Sequence, residues 1–354
     1  MRKLFCSMVL VLSVSLLFGS QYAGACTRVL HVFKNKPVIT ARSMDWYVRY
    51  ATTIWKFPRG LVREGLTPRN PAKWTSRYGS VVIVQTAGGN QSAAADGLNE
   101  KGLVANLLYL TETDYGKRDP EIQGVASSIY LQFILDNFAT VTEVVDYLSK
   151  GEIQIVPVPI PNSEHFPTMH VSVSDSLGDS AVIEFLDGKV VFHHSKDYQV
   201  MANSPTFEKQ LALTAYWDEI GGHKFLPGTR SSADRFVRAS FYNAHLPEPR
   251  DYREAIASVI SIVRNVSSPF GQPDPQKPNI STTIWRVVAD QTNLVYYYES
   301  TISPNVIWVD MKKMDFSRGH GAMALEVKED SELDGEVNRF FERRKPLVFA
   351  HVPE

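Results

Sequence analysis

Cys26 is the residue of this sequence best placed to do covalent chemistry. The chain has two cysteines, Cys6 and Cys26, and Cys6 falls in a stretch built like an export signal: Arg2 and Lys3, an apolar run from Met8 to Phe18, then Ala23-Gly24-Ala25. A charged start, a short apolar run and an A-x-A site describe a cleavable signal peptide, and the run is well under the roughly 20 residues that span a bilayer. Residues 1–25 are therefore expected to be removed, and the mature chain to work in the periplasm or as a secreted protein. Cys26 would then be both the first residue and the sole sulfhydryl, which leaves it no intramolecular disulfide and no thiolate metal cluster.

Three readings of that cysteine stand side by side. It is a chance cysteine in a first strand, where it behaves as a small apolar residue. It is the lipid-attachment site of an anchored binding protein that captures an acyl or steroid ligand without cutting it, although Ala23 stands where such sites usually carry Leu, and Cys26–Phe33 reads as a strand rather than a polar tether. Or it is an N-terminal nucleophile. A thiol titrates near about 8.5 and an α-amine near about 7.7 to 8.0, so the free amine of residue 26 can act as the base for its own side chain. The last two exclude each other, because a nucleophile of this kind needs its amine free. A Cys-His protease is a further possibility that the nine histidines raise, but Cys26 lacks the C-G-[SA]-C-[WY] context of the papain type.

The elements that must position Cys26 are strands first. Cys26–Phe33 and Val38–Trp46 flank Lys34-Asn35-Lys36-Pro37 as a hairpin, and Ser80–Thr86 is a Val/Ile-rich strand closed by Gly88-Gly89-Asn90. Asn99-Glu100-Lys101-Gly102 joins the 93–98 run to Leu103–Tyr109 as a second hairpin. Helical spacing marks Ser127–Phe138 and Thr142–Leu148, and strands return at Met169–Val173, Ser180–Phe185 and Lys189–His193. Helices are expected over Thr206–Ile220 and Ala233–Tyr242 and along the apolar face from Tyr252 to Val263. A closing meander runs through Thr282–Ala289, Leu294–Glu299 and Val306–Met311. Strands, helices, strands, helices, strands is an α+β order without the βα alternation of a parallel sheet.

Two proline-rich stretches, Pro157–Pro161 and Pro269–Pro278, read as extended loops rather than tethers, so residues 26–354 are taken as one domain. The charged tail after Asp315 carries no clear pattern. A net charge of −1 with acids and bases interspersed leaves no basic stripe for nucleic acid or an anionic membrane, and no membrane insertion is expected once the signal is gone.

Several motifs in order behind the cysteine resemble the choloylglycine hydrolase family, which groups bile-salt hydrolases with penicillin V acylases. They are Cys26-Thr27, Ala41-Arg42-Ser43-Met44-Asp45-Trp46, Asp96-Gly97-Leu98-Asn99-Glu100-Lys101-Gly102-Leu103, Met201-Ala202-Asn203-Ser204-Pro205-Thr206-Phe207, and Leu226-Pro227-Gly228 followed by Ser231–Arg238. With the Ala289-Asp290 to Tyr297-Tyr298 meander they cover roughly residues 26 to 315. The resemblance implies a four-layer αββα fold of two stacked antiparallel sheets, a linear non-peptide amide as small-molecule substrate, no cofactor or metal, and a homo-oligomer, with a tetramer as one form. The short stretch between Asn203 and Arg235, together with the signal peptide, is similar to the exported Gram-negative branch, whose substrates include penicillin V, conjugated bile salts and acyl-homoserine lactones.

The same resemblance implies roles. Arg42 matches the arginine beside the nucleophile, Asp45 the aspartate that holds its α-amine, and Asn203 an oxyanion donor. Tyr109 falls where a backbone N–H joins that donor, at a position usually Asn in bile-salt hydrolases, and Arg235 matches a second active-site arginine. Without the resemblance these read as an ion-paired strand arginine, a turn former, a helix cap, a strand aromatic and a helix-surface arginine. Met44, Trp46, Tyr47 and Trp55 are candidates to line a substrate pocket with Tyr109, against the plainer reading of core aromatics at strand ends.

Overall fold

A computed structural model describes residues 26–34, 37–88, 91–159, 167–269 and 282–353. The expected export signal, the end of the first proline-rich stretch (160–161), most of the second (270–278) and parts of two expected turns (35–36 and 89–90) lie outside the described residues.

Two sheets carry the architecture. The seven-stranded one runs, edge to edge, through Val200–Ala202, Thr27–Val32, Val38–Trp46, Thr282–Asp290, Val295–Ser300, Val306–Asp310 and Gly335–Glu336. The nine-stranded one runs through Lys189–His194, Ser180–Leu186, Met169–Ser174, Val104–Tyr109, Gln91–Asn99, Ser80–Ala87, Ala51–Phe57, Met323–Val327 and Glu342–Arg343. All neighbours are antiparallel except Gly335–Glu336, which joins Val306–Asp310 in parallel. Ile54, Val81, Ile83 and Leu98 from the large sheet meet Trp285, Val287, Tyr296 and Val309 from the small one, so the sheets stack face to face over a shared core. Large side chains of this kind each contribute about 1.5 to 3 kcal/mol on burial.

Helices cover the outer faces. α1 (Tyr130–Asn137) and α2 (Val141–Leu148) pack on the large sheet, and α3 (Phe207–Ile220), α4 (Ser232–Ala244) and α5 (Tyr252–Asn265) lie on the other side, where α4 and α5 pack directly on the small sheet. Thr140, Ser231 and Asp251 cap α2, α4 and α5 by accepting the backbone N–H three residues on. The layers are therefore αββα, as expected. α1 begins at Tyr130 rather than at Ser127, which leaves Ser127 and Ser128 in an approach segment.

One irregularity of the large sheet matters for function. Gln91–Asn99 pairs with Val104–Tyr109 only at Asp96↔Asn106, Gly97↔Ala105 and Leu98↔Val104. Beyond that point Leu107–Tyr109 follow the strand Met169–Ser174, while residues 91–94 stay with Ser80–Ala87. Ala95 is an extra residue there, between Ile83↔Asp96 and Val84↔Ala94. A bulge bends its strand and ends local pairing, so the two central strands part and leave a cleft within the sheet.

Strand Ala51–Phe57 sits inside the large sheet and is absent from the elements expected above. Its alternation is obscured by Lys56, which is buried with its ammonium 5.7 Å from the Phe316 ring centre. The tail after Asp315, left unassigned from sequence, adds Met323–Val327 to that strand and sends Phe349 into the core beneath the sheet.

Candidate active site

Cys26 stands just before strand Thr27–Val32, which lies between Val200–Ala202 and Val38–Trp46. Thr27 pairs with Ala202 on one side and Ser43 on the other, so continuing both registers by one residue sets Cys26 beside Asn203 and Met44. Side chains alternate across a strand. Arg42 and Met44 thus face the large sheet with Cys26, whereas Ser43 and Asp45 face the helices.

Cys26 is 2% exposed. It accepts from Arg42 Nη2 at 3.6 Å and from the backbone N–H of Asp45 at 3.4 Å, and Met44 Sδ lies 3.8 Å away. Arg42 is itself fixed on three sides. Its Nη1 donates to the carbonyl of Ala95 at 2.7 Å and meets Asp96 Oδ2 at 3.3 Å, and its guanidinium lies 5.0 Å from the Trp285 ring centre. The bulge thus has a local use, since it turns the Ala95 carbonyl toward Arg42. Burial pulls the Arg42 guanidinium down, but the sulfur of Cys26 and the carboxylate of Asp96 outweigh it and hold the group above its ordinary value.

Asp96 anchors this arrangement and was missed as a site residue, although it lies in one of the matched motifs. Fully buried, it accepts from Asn106 Nδ2 at 2.7 Å and from the Tyr296 hydroxyl at 2.6 Å in addition to Arg42. Burial pushes its carboxyl up, and Arg42 and these hydrogen bonds pull against that push.

On the helix side Asp45 Oδ2 meets Arg235 Nη1 at 2.8 Å, and Thr283 Oγ1 donates to Asp45 Oδ1 at 2.5 Å. Arg235 also donates to Thr27 Oγ1 at 2.9 Å. The plain reading of Arg235 as a surface arginine fails, because it is fully buried. Burial raises the Asp45 carboxyl against the pull of Arg235, and burial lowers Arg235 against the pull of Asp45 and Cys26. Thr27, although part of the Cys26-Thr27 motif, and Thr283 carry no assigned role from sequence, where a strand threonine gives no sign of the partner it will meet.

Asn203 is 1% exposed, and neither end of its side-chain amide has a partner. A buried polar group left unpaired costs about 1 to 3 kcal/mol, which fits a donor reserved for a ligand. Its turn is held by Gln210, which donates to the carbonyls of Asn203 and Pro205, and by Ser204, which accepts from Thr111 N at 3.0 Å. The latter bond brings the turn against the segment that follows Tyr109.

The cleft between the parted strands is a cavity of about 160 Å³ with Cys26 and Arg42 in its wall. Met44, Trp46 and Tyr109 line it, with the Trp46 and Tyr109 rings edge to face at 5.8 Å. Ser92–Ala95, Leu107, Ser127, Ser128 and Met169 complete much of the wall, and among the described lining residues Arg42 is the only cation and no carboxylate is present. Two expected lining residues do not reach it. Trp55 is stacked on Phe57 at 5.4 Å in the core under the large sheet, and Tyr47, next along from Trp46, lies outside the lining and is 39% exposed. Among the described residues no group of three or more His, Cys, Asp or Glu side chains is placed to hold a metal ion, and no helix is long and apolar enough to cross a membrane.

The model of the family described as linear amide C–N hydrolases, choloylglycine hydrolase family, matches residues 26–326. A penicillin V acylase of Pectobacterium atrosepticum is 44% identical over 357 residues, covering 95% of each chain. The solved structure of a penicillin V acylase from Agrobacterium tumefaciens superposes with a TM-score of 0.84 at 45% identity, covering 92% of this chain and all of that one. A bile salt hydrolase/transferase of Clostridium perfringens is 26% identical over 354 residues, covering 92% of this chain and 99% of its own.

Proposed function

The chain belongs to the choloylglycine hydrolase family of linear amide C–N hydrolases, and we propose that it cuts its amide with Cys26 as an N-terminal nucleophile. The observation that carries this reading is the thiol at the wall of an apolar cavity, 3.6 Å from a buried guanidinium. Removal of residues 1–25 on export frees the α-amine, which takes the thiol proton. The thiolate attacks the amide carbonyl while the side-chain amide of Asn203 and the backbone N–H of Tyr109 hold the oxyanion. Asp45, fixed by Arg235 and Thr283, orients the amine. The leaving amine takes a proton from it and departs, and water activated by the same amine then hydrolyses the thioester.

The cavity favours one substrate class. An engineered apolar cavity of about 150 Å³ takes up benzene, so about 160 Å³ suits a single aromatic ring or a short acyl chain, and a four-ring steroid would have to project from it. An uncharged acyl group also matches a wall whose one cation among the described residues is engaged with sulfur and Asp96. We therefore place penicillin V ahead of acyl-homoserine lactones and conjugated bile salts. Comparing kcat/KM for penicillin V, hexanoyl-homoserine lactone and glycocholate tests this order, and a tenfold preference for glycocholate would reverse it.

The nucleophile has its own test. Cys26→Ala should remove hydrolysis and keep the fold, because one thiol contributes little burial energy. A homogeneous preparation that still carries Ala25 should be inactive, since its base has become an amide nitrogen; full activity in that preparation would exclude the α-amine as base. Burial of the sulfur opposes the anchored binding protein, in which the same atom would have to carry lipid out to a membrane. Intact mass of the exported protein decides between them.

A further inference from the structure

The part of the chain beyond the family match returns to the cavity. Residues after 326 leave the large sheet, pass along the small one at Gly335–Glu336, and come back so that Phe349 forms a parallel bridge with Ser92. Ala350 N donates to the carbonyl of Ser92 at 2.9 Å, Ser128 Oγ donates to the carbonyl of Ala350, and Val352 N donates to the carbonyl of Leu66 at 3.0 Å. Ser92 lies in the half of its strand that has parted from Val104–Tyr109, and Ala350 itself lines the cavity with Ser92 and Ser128. Phe349 anchors the segment: it is 3% exposed, 6.4 Å from Phe57 between ring centres, with the Arg63 guanidinium 5.6 Å from its own.

This segment answers a structural need. Parting two central strands strips backbone groups of their ladder partners, and buried backbone groups must be paired. On the Gln91–Asn99 side, the N–H of Ala94 is taken by the carbonyl of Ser128 at 2.9 Å, and the carbonyl of Ser92 is taken by Ala350. The same bonds that satisfy the open strand fix a side chain in the cavity wall. The wall at that point is an alanine, and a larger side chain there leaves less volume for the acyl portion of a substrate.

We propose that residues 347–352 form a fixed wall of the acyl cavity and that Ala350 sets the size of acyl group the enzyme takes. The proposal rests on the amidase reading above for the identity of the ligand. Its physical content is steric: one methylene more or less in such a pocket changes discrimination by about 10- to 200-fold. Selectivity among acyl groups is thereby assigned to a stretch of chain far in sequence from Cys26.

The test uses the mature protein, an Ala350→Phe variant and a chain ending at Pro346, each given acetyl, hexanoyl, decanoyl and phenylacetyl amides of 4-nitroaniline. Ala350→Phe should lower the phenylacetyl-to-acetyl ratio of kcat/KM by about tenfold or more. The shortened chain should raise the decanoyl-to-hexanoyl ratio. Should loss of Phe349 unfold the shortened chain, the point variant, which keeps that anchor, decides alone. Equal losses on every acyl group, or ratios within twofold of the parent in folded variants, would overturn the proposal. If the parent cuts none of these amides, the amidase reading fails separately, and protection of Cys26 from iodoacetamide by phenylacetate decides the wall: protection lost in Ala350→Phe supports it, equal protection in both proteins overturns it.

Discussion

Arg42 and Asp96 act on the sulfur of Cys26 with opposite signs, so their removal should be distinguishable. Arg42→Ala takes away the cation 3.6 Å from the sulfur, and alkylation of Cys26 at a fixed pH should slow. Asp96→Asn keeps an acceptor for the guanidinium and removes the carboxylate that partly neutralises it, so labelling at the same pH should quicken while kcat falls through looser positioning of Arg42. Measuring the rate of iodoacetamide labelling at one pH in both variants checks the pair, and changes of the same sign would show that Asp96 does not act through Arg42. Cys26, Arg42, Asp45 and Asn203 were legible because motifs in order mark them. Asp96 sat in such a motif unremarked, since its importance lies in three donors, Arg42, Asn106 and Tyr296, that come from three other strands up to 200 residues away from it. Trp55 was misjudged for the opposite reason: a strand aromatic has the same local sequence whether its face meets a cavity or a core.

Between elements, Glu184 fastens the start of α3 to the large sheet. It accepts from Phe207 N at 2.9 Å, and His170 and His193 stand at 3.4 and 3.3 Å from its two oxygens. Burial alone would raise this carboxyl; the imidazoles and the backbone donor outweigh burial and bring it from 4.5 down to about 2. A depressed carboxyl adds stability that is fully present above about 4.5 and is lost as pH falls through about 2, on the order of 3 kcal/mol in all. Glu184→Gln should therefore unfold at lower urea than the parent at pH 7, and the gap should narrow by pH 2.5; an unchanged gap at both pH values would mean that the charge contributes nothing. Runs such as Val81–Val84 declared their strand by composition. Strand Ala51–Phe57 did not, because the groups that cover Lys56 arrive from the tail some 260 residues later.

The tail also belongs to the scale of the whole molecule. It adds a strand to the large sheet at Met323–Val327 and another to the small sheet at Gly335–Glu336 before closing the cavity. With the two sheets also sharing one interlayer core, thermal unfolding of the mature chain should be a single transition with equal calorimetric and van't Hoff enthalpies. Two resolved transitions would separate the sheets into independent units. The homo-oligomer that the sequence suggests, which we propose as well, has a candidate surface in the outward face of α3 and the segment after it, where Leu213, Tyr216, Ile220 and Phe225 are exposed. Tyr216→Glu should lower the mass seen by light scattering, and a monomer mass for the parent at every concentration would remove the idea. The parting of two strands in the large sheet has a longer consequence. Cys26, Arg42, Asp45 and Asn203 stand on or at the end of strands of one sheet, while Ser92–Ala95, Leu107 and Met169 belong to the other. Selection can therefore reshape the receiving sheet at Ser92, Leu107 and Met169 while the Ala95 carbonyl and Asp96 of that sheet keep their hold on Arg42, which would let a lineage exchange diets while inheriting the same blade.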